Sequence, residues 1–263
     1  MKRLDSYLPN LGQCWLLVIL MLVGSLFAGF VFRSGPQSAA YLVSMAFPLL
    51  YGVFLSRKSQ ESLPLNAPSF GRMGAVATFS LCGTAMLCLM VLMEPTTHYI
   101  PMPDLIKNLF EQVFLNTPLW DSILSTCILA PLLEETLCRG VMVRGLMKHG
   151  SEGYAIFWSA FLFALMHANP WQSIPAFLIG AFFGWIYCRT RCLWLTIFLH
   201  CLNNSVSTIV SRLTPQMEID QDLMDLMGGS YWVLFAGCLC VFSIIIYLLN
   251  EKTVSSEIRP DAH

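Results

Sequence analysis

The chain is short of charge. Only 12% of its 263 residues are Asp, Glu, Lys or Arg, about half the share of an ordinary soluble domain. Long apolar runs separate the few charged clusters, which excludes a large-cored soluble fold and fits a polytopic, all-α membrane protein. No dense basic patch exists, which argues against nucleic acid as a partner. No Cys-x-x-Cys pair occurs among the ten cysteines, and none of them lies in the two long polar loops. They read as small buried hydrophobes rather than as disulfides or metal ligands. The first apolar run lacks a small-residue cleavage site and reads as a retained helix. There is no fixed-period repeat and no low-complexity linker, so residues 1–263 form one domain. The C-terminus carries no Cys-a-a-X, so the chain is not expected to be prenylated itself.

What is present is a series of apolar runs. At roughly 20 residues per span, helices are expected near 14–32, 39–56, 74–93, 121–147, 153–168, 171–188, 192–211 and 231–249. Very short turns join the fourth to the seventh, so these pack as antiparallel neighbours. They form a four-helix core over 120–212, with the first three helices and the eighth as surrounding support. With the N-terminus inside, eleven basic residues fall on the inner side: Lys2, Arg3, Arg57, Lys58, Arg72, Arg144, Lys148, Arg189, Arg191, Lys252 and Arg259. Arg33, Lys107 and Arg212 fall outside. This bias places both termini in the cytoplasm and the protein in the cell membrane.

Three apolar segments contain polar residues that are costly at membrane depth, by ~3 kcal/mol or more per charge. The fourth helix carries Glu134, Glu135 and Arg139. Glu135 and Arg139 are four apart and share a face, so they can pair. Glu134 points about 100° away and lacks that partner, which leaves it free to act as a general base. Pro131 can kink the helix beside it. His167 ends the fifth segment, four residues after Phe163 on the same face. His200 and Asn204 are four apart and co-facial on the seventh. Each could simply be an interfacial or interhelical hydrogen-bonding residue. Ala176, Gly180 and Gly184 on the sixth read as close helix packing.

Together the parts match hydrolysis by an activated water. Glu134 would take the proton, His167 would hold or share it, and His200 with Asn204 would donate to an oxyanion. Cys201 points about 100° from His200, which makes it a poor nucleophile. Zinc is the alternative for a Glu/His/His set, although the His-Glu-x-x-His helix is absent. Non-catalytic partnering and carriage remain open. Carriage would favour polar residues spread along a pathway, and internal repeats.

The series Glu134-Glu135-x-x-x-Arg139, Phe163-x-x-x-His167 and His200-x-x-x-Asn204 resembles the three motifs of the CAAX protease and bacteriocin-processing family. All three occur in order, on successive apolar segments, within about 120–212. The resemblance implies an eight-helix intramembrane endopeptidase of the glutamate type. Glu134 would be its base, His167 the base's partner, His200 and Asn204 the oxyanion site, and Glu135, Arg139 and Phe163 the support. It implies no cofactor. It also implies a membrane-associated peptide or protein substrate, prenylated or leader-bearing, held at the lipid bilayer. Some members of the family are immunity or regulatory partners instead. A protease of the CAAX type should open to the cytosol, yet the orientation above puts His167 near the outer end of its helix.

Overall fold

A computed structural model describes residues 4–33, 35–56, 62–112, 116–213 and 221–253. Helices stand at all eight expected positions: α1 (Leu11–Val31), α2 (Gln37–Ser56), α3 (Ala75–Met93), α4 (119–149), α5 (Glu152–Leu165), α6 (Pro170–Thr190), α7 (Leu193–Leu213) and α8 (Tyr231–Thr253). Six helical stretches are long and apolar enough to cross a membrane; they contain α1, α2, α3, α6, α7 and α8. The remaining two, α4 and α5, differ from simple spans for separate physical reasons.

The first of them, α4, is continuous but not regular. It winds as a π-helix over Ile123–Leu129, as an α-helix over Ala130–Glu135, and again as a π-helix over Thr136–Val143. The two wide stretches bracket the turn that holds Glu134 and Glu135. Such widened turns are frequent at functional sites. Pro131 opens the α-helical turn between them.

The second, α5, is short. Fourteen residues at 1.5 Å each reach ~21 Å, less than the ~30 Å of a hydrocarbon core. The expectation of a helix to residue 168 is therefore too long by three residues. Ala168 takes a left-handed φ of 56°, which ends the helical path. Asn169 then caps α6, accepting from the Gln172 amide, with Pro170 at the first helical position. The α5 helix thus stops inside the protein, and His167 sits in the turn beyond it.

Close approaches between small residues set the packing. An added Cβ on Gly24 of α1 would lie 2.7 Å from the Ser44 carbonyl of α2. On Gly180 of α6 it would lie 3.1 Å from Ala160 of α5. The α4 helix packs on α2, α5 and α7, and α3 packs on α7 and α8. One core gathers residues of α1, α4, α5 and α6, including Leu17, Leu137, Met142 and Phe163. A second joins α3, α6, α7 and α8 through Met86, Phe183, Leu199 and Ile245.

One end of the bundle is closed by ordered loops. Residues 4–10 and 62–69 lie across it. Leu63 and Leu65 donate their amides to the Asp5 carbonyl and carboxylate, each at 2.9 Å. The buried Arg144 guanidinium donates to the carbonyls of Asp5 and Leu63. Tyr187 donates to the Leu65 carbonyl at 2.8 Å, and Leu193 to Asn66 Oδ1 at 2.8 Å. Pro9 lies so close to Gly145 that an added Cβ would meet it at 2.3 Å.

At the other end, Asp121 caps α2 from a distance in sequence. Its carboxylate accepts from the Gln37 amide at 2.6 Å and from the Ser38 amide at 2.9 Å. These are orphan donors of the first turn of α2, so the start of α4 is fixed against the start of α2.

Candidate active site

The polar residues of α4, of the turn after α5 and of α7 meet at a cavity of about 470 Å³. Glu134, Phe163, His167, His200 and Asn204 all line it. Glu135 and Arg139 lie behind this wall, both fully buried. The seven residues singled out in the sequence therefore form one cluster, in two layers.

The rear layer is an ion pair with a third member. Arg139 Nη1 donates to Glu135 Oε1 at 2.8 Å, the pairing expected from their spacing. The same oxygen accepts from His200 Nδ1 at 3.0 Å. The guanidinium also donates to the Gly180 carbonyl at 2.9 Å. It lies 4.8 Å from the Phe163 ring centre and 5.4 Å from that of Phe183, within cation–π range. Gly180 thus does more than allow close packing, because its carbonyl helps hold the buried cation. Phe163 is a spacer that touches Arg139, His167 and His200 at once.

These bonds fix the tautomers. A carboxylate oxygen only accepts, so His200 Nδ1 carries a proton and Nε2 is the nitrogen that faces Glu134 Oε2, at 3.8 Å. Likewise, His167 Nδ1 lies 3.0 Å from the Phe163 carbonyl and must donate to it. That leaves His167 Nε2 as the acceptor of a neutral ring. Asn204 uses one amide hydrogen on the Thr126 carbonyl at 2.8 Å and has a second to offer.

Glu134 has a partner that sequence reasoning missed. Tyr41 of α2 donates its hydroxyl to Glu134 Oε1 at 2.5 Å. Gln37 of α2 and Glu94 and Thr97 beyond α3 also line the cavity. Treating the first three helices as mere support is therefore corrected: α2 supplies a wall of the site and a ligand to its central carboxylate. A hydrogen bond to a charged group is worth about 1.5–3 kcal/mol. Tyr41→Phe is accordingly expected to lower any activity that depends on Glu134 by roughly 10–100-fold while the protein accumulates normally. An unchanged rate would reduce Tyr41 to a lining residue.

Among the described residues, a group whose possible metal-ligand atoms come within 4.8 Å of one another is His98, Asp222 and Asp225. It lies in the loops beyond α3 and before α8. Its atoms are already used: His98 pairs with Asp222, and the two aspartates form the capping box of the short helix Leu223–Met227.

Comparison with known proteins gives a match to the segment that holds this cluster. Residues 116–206 match the family model described as "Type II CAAX prenyl endopeptidase Rce1-like". This segment is similar to that family. It contains α4, α5 and α6 and most of α7, and so every residue of the two layers. The chain is also similar to the Bacillus subtilis (strain 168) protein named "Putative membrane peptidase YdiL", with 27% identity over 114 residues. That match covers 42% of this chain and 46% of the relative, so the chain spans less than half the length of that protein. No solved structure matches the chain. The Rce1-like segment does not include α2, and Tyr41 therefore lies outside it.

Proposed function

We propose that this protein is an intramembrane endopeptidase that hydrolyses a peptide bond of a membrane-associated peptide or protein with a water activated by Glu134. The observation that carries this reading is the front layer. The Glu134 carboxylate, the His167 and His200 imidazoles and the Asn204 amide line one cavity inside an otherwise apolar bundle. The Rce1-like segment supports a membrane protease of the CAAX type.

In this mechanism Glu134 takes a proton from the water, and His167 Nε2 accepts and returns it to the leaving amine. The carbonyl oxygen of the scissile bond gains negative charge as the water attacks. Asn204 and His200 donate to it, and His200 does so when Nε2 as well as Nδ1 is protonated. A single donor of this kind is worth roughly 2.7–4 kcal/mol of barrier. Glu135 and Arg139 hold His200 in place from behind, while Tyr41 orients the Glu134 carboxylate.

The reading is tested by comparing peptides in membranes that contain the wild-type chain with those that contain Glu134→Ala. New termini are expected only with the wild type. Identical peptide populations, at equal protein levels, would remove the assignment. Because the water is activated by a carboxylate, chelators such as EDTA and 1,10-phenanthroline are expected to leave processing unchanged. Inhibition reversed by added Zn²⁺ would instead make the reaction metal-dependent.

A further inference from the structure

The two ends of the bundle are unlike. Every wall of the cavity comes from the same end. These are the first turns of α2 (Gln37, Tyr41), the last turn of α3 and the short helix beyond it (Met93, Thr97), the first half of α4, the last turn of α5 and the turn after it, the first half of α6, and α7 from His200 onward. The opposite end is sealed by residues 4–10 and 62–69, held by Asp5, Arg144 and Tyr187. Arg72, Lys148, Arg189 and Arg191 lie at that sealed end. Of the other basic residues assigned to the inner side, Lys2, Arg3, Arg57, Lys58 and Arg259 lie outside the described residues.

Basic residues mark the cytoplasmic side of a membrane protein. The end that holds the cavity has Arg33, Lys107 and Arg212, against eleven basic residues assigned by sequence to the other. The segment flanking the cavity also exposes Tyr99, Leu105, Leu109, Leu119 and Trp120, the kind of apolar and aromatic surface that settles at a lipid–water boundary. Trp171 of the cavity wall is tied to this segment through the Ile100 carbonyl, at 3.0 Å.

We infer that the cavity opens toward the non-cytoplasmic side of the membrane, so that the site takes its peptide from the outer leaflet or the space beyond it. The opening follows from the fold and the charge bias alone, whereas the peptide as occupant rests on the endopeptidase reading above. The short α5 helix is what makes this possible. It ends at Leu165 and leaves His167 in the turn beyond, on the wall of the same cavity as Glu134. The class of substrate that fits is a membrane-anchored or exported peptide whose scissile bond lies in the outer half of the bilayer. A cytosolic prenylated C-terminus would have to cross the sealed end.

The test is labelling by a membrane-impermeant, charged maleimide in sealed right-side-out and inverted vesicles. Ser207 lines the cavity and is exposed, and Thr97 offers a second position on another wall. Gly153, at the sealed end, has open space around an added Cβ. Label above that of the unsubstituted chain is expected for Ser207→Cys and Thr97→Cys in right-side-out vesicles. Gly153→Cys is expected to gain label only in inverted ones. The reverse pattern, or cavity positions labelled from neither side, would overturn the inference. Labelling requires no turnover, so a chain that hydrolyses nothing still reports its opening. A cavity that labels from outside in a chain indifferent to loss of Glu134 would end the endopeptidase reading and leave the orientation standing.

Discussion

Glu134→Gln is expected to reduce peptide processing by about 10²–10⁴-fold, the contribution of a positioned general base, with no loss of protein from the membrane. The substitution is nearly isosteric. The amide oxygen it introduces can still accept from Tyr41, so the hydrogen bond now made at 2.5 Å has a replacement. What the amide cannot do is accept a proton from water. The variant therefore separates chemistry from architecture. A non-catalytic partner built on the same fold should tolerate the change, because its surface and its packing are intact. The measurement is the rate at which new termini appear among membrane peptides, normalised to the amount of protein. Full activity in the Glu134→Gln variant would remove the carboxylate from the mechanism. Loss of activity in step with loss of protein would make it structural.

Arg139→Met should act on stability instead. Arg139 and Glu135 have no exposed side-chain surface. Removing the cation leaves Glu135 buried without its counter-charge, which costs about 3–5 kcal/mol. The Gly180 carbonyl and the faces of Phe163 and Phe183 lose their partner as well. The expected result is a sharply lower thermal midpoint in detergent and less protein in the membrane. The double variant Glu135→Gln/Arg139→Met should recover much of that loss, because no charge is then stranded, and the introduced amide oxygen can still accept from His200 Nδ1. A single variant as stable as the wild type would show that the pair does not hold the bundle together.

The contrast between these two glutamates could be read from the sequence. Helical spacing gave Glu135 a partner in Arg139 and left Glu134 turned away from it, and the ion pair stands where that spacing puts it. His167 and the polar residues of α7 were equally legible, since each interrupts or ends an apolar run and has a neighbour four residues away. Other features were not. Tyr41 lies among apolar residues in a distant helix, where a tyrosine ordinarily reads as an interfacial anchor; only the folded chain brings its hydroxyl to Glu134. The bond from His200 to Glu135 is likewise a meeting of separate helices. The wide turns of α4 have no marker in the residues that form them. The early end of α5 did leave a signal, because Asn169 before Pro170 is a helix start, and a helix cannot begin there unless the previous one has already stopped.

The clamp between Asp121 and the first turn of α2 has a further meaning. Asp121 and Glu134 lie on one helix, while Ser38 and Tyr41 lie on the other. Two bridges, one a turn above the other on α2, join the same pair of helices at separate heights. They fix α2 as a vernier against α4. Sliding α2 by even one residue would unseat both bridges together. An insertion between Asp121 and Glu134, or between Ser38 and Tyr41, would therefore break one bridge or the other and detune the carboxylate without touching it.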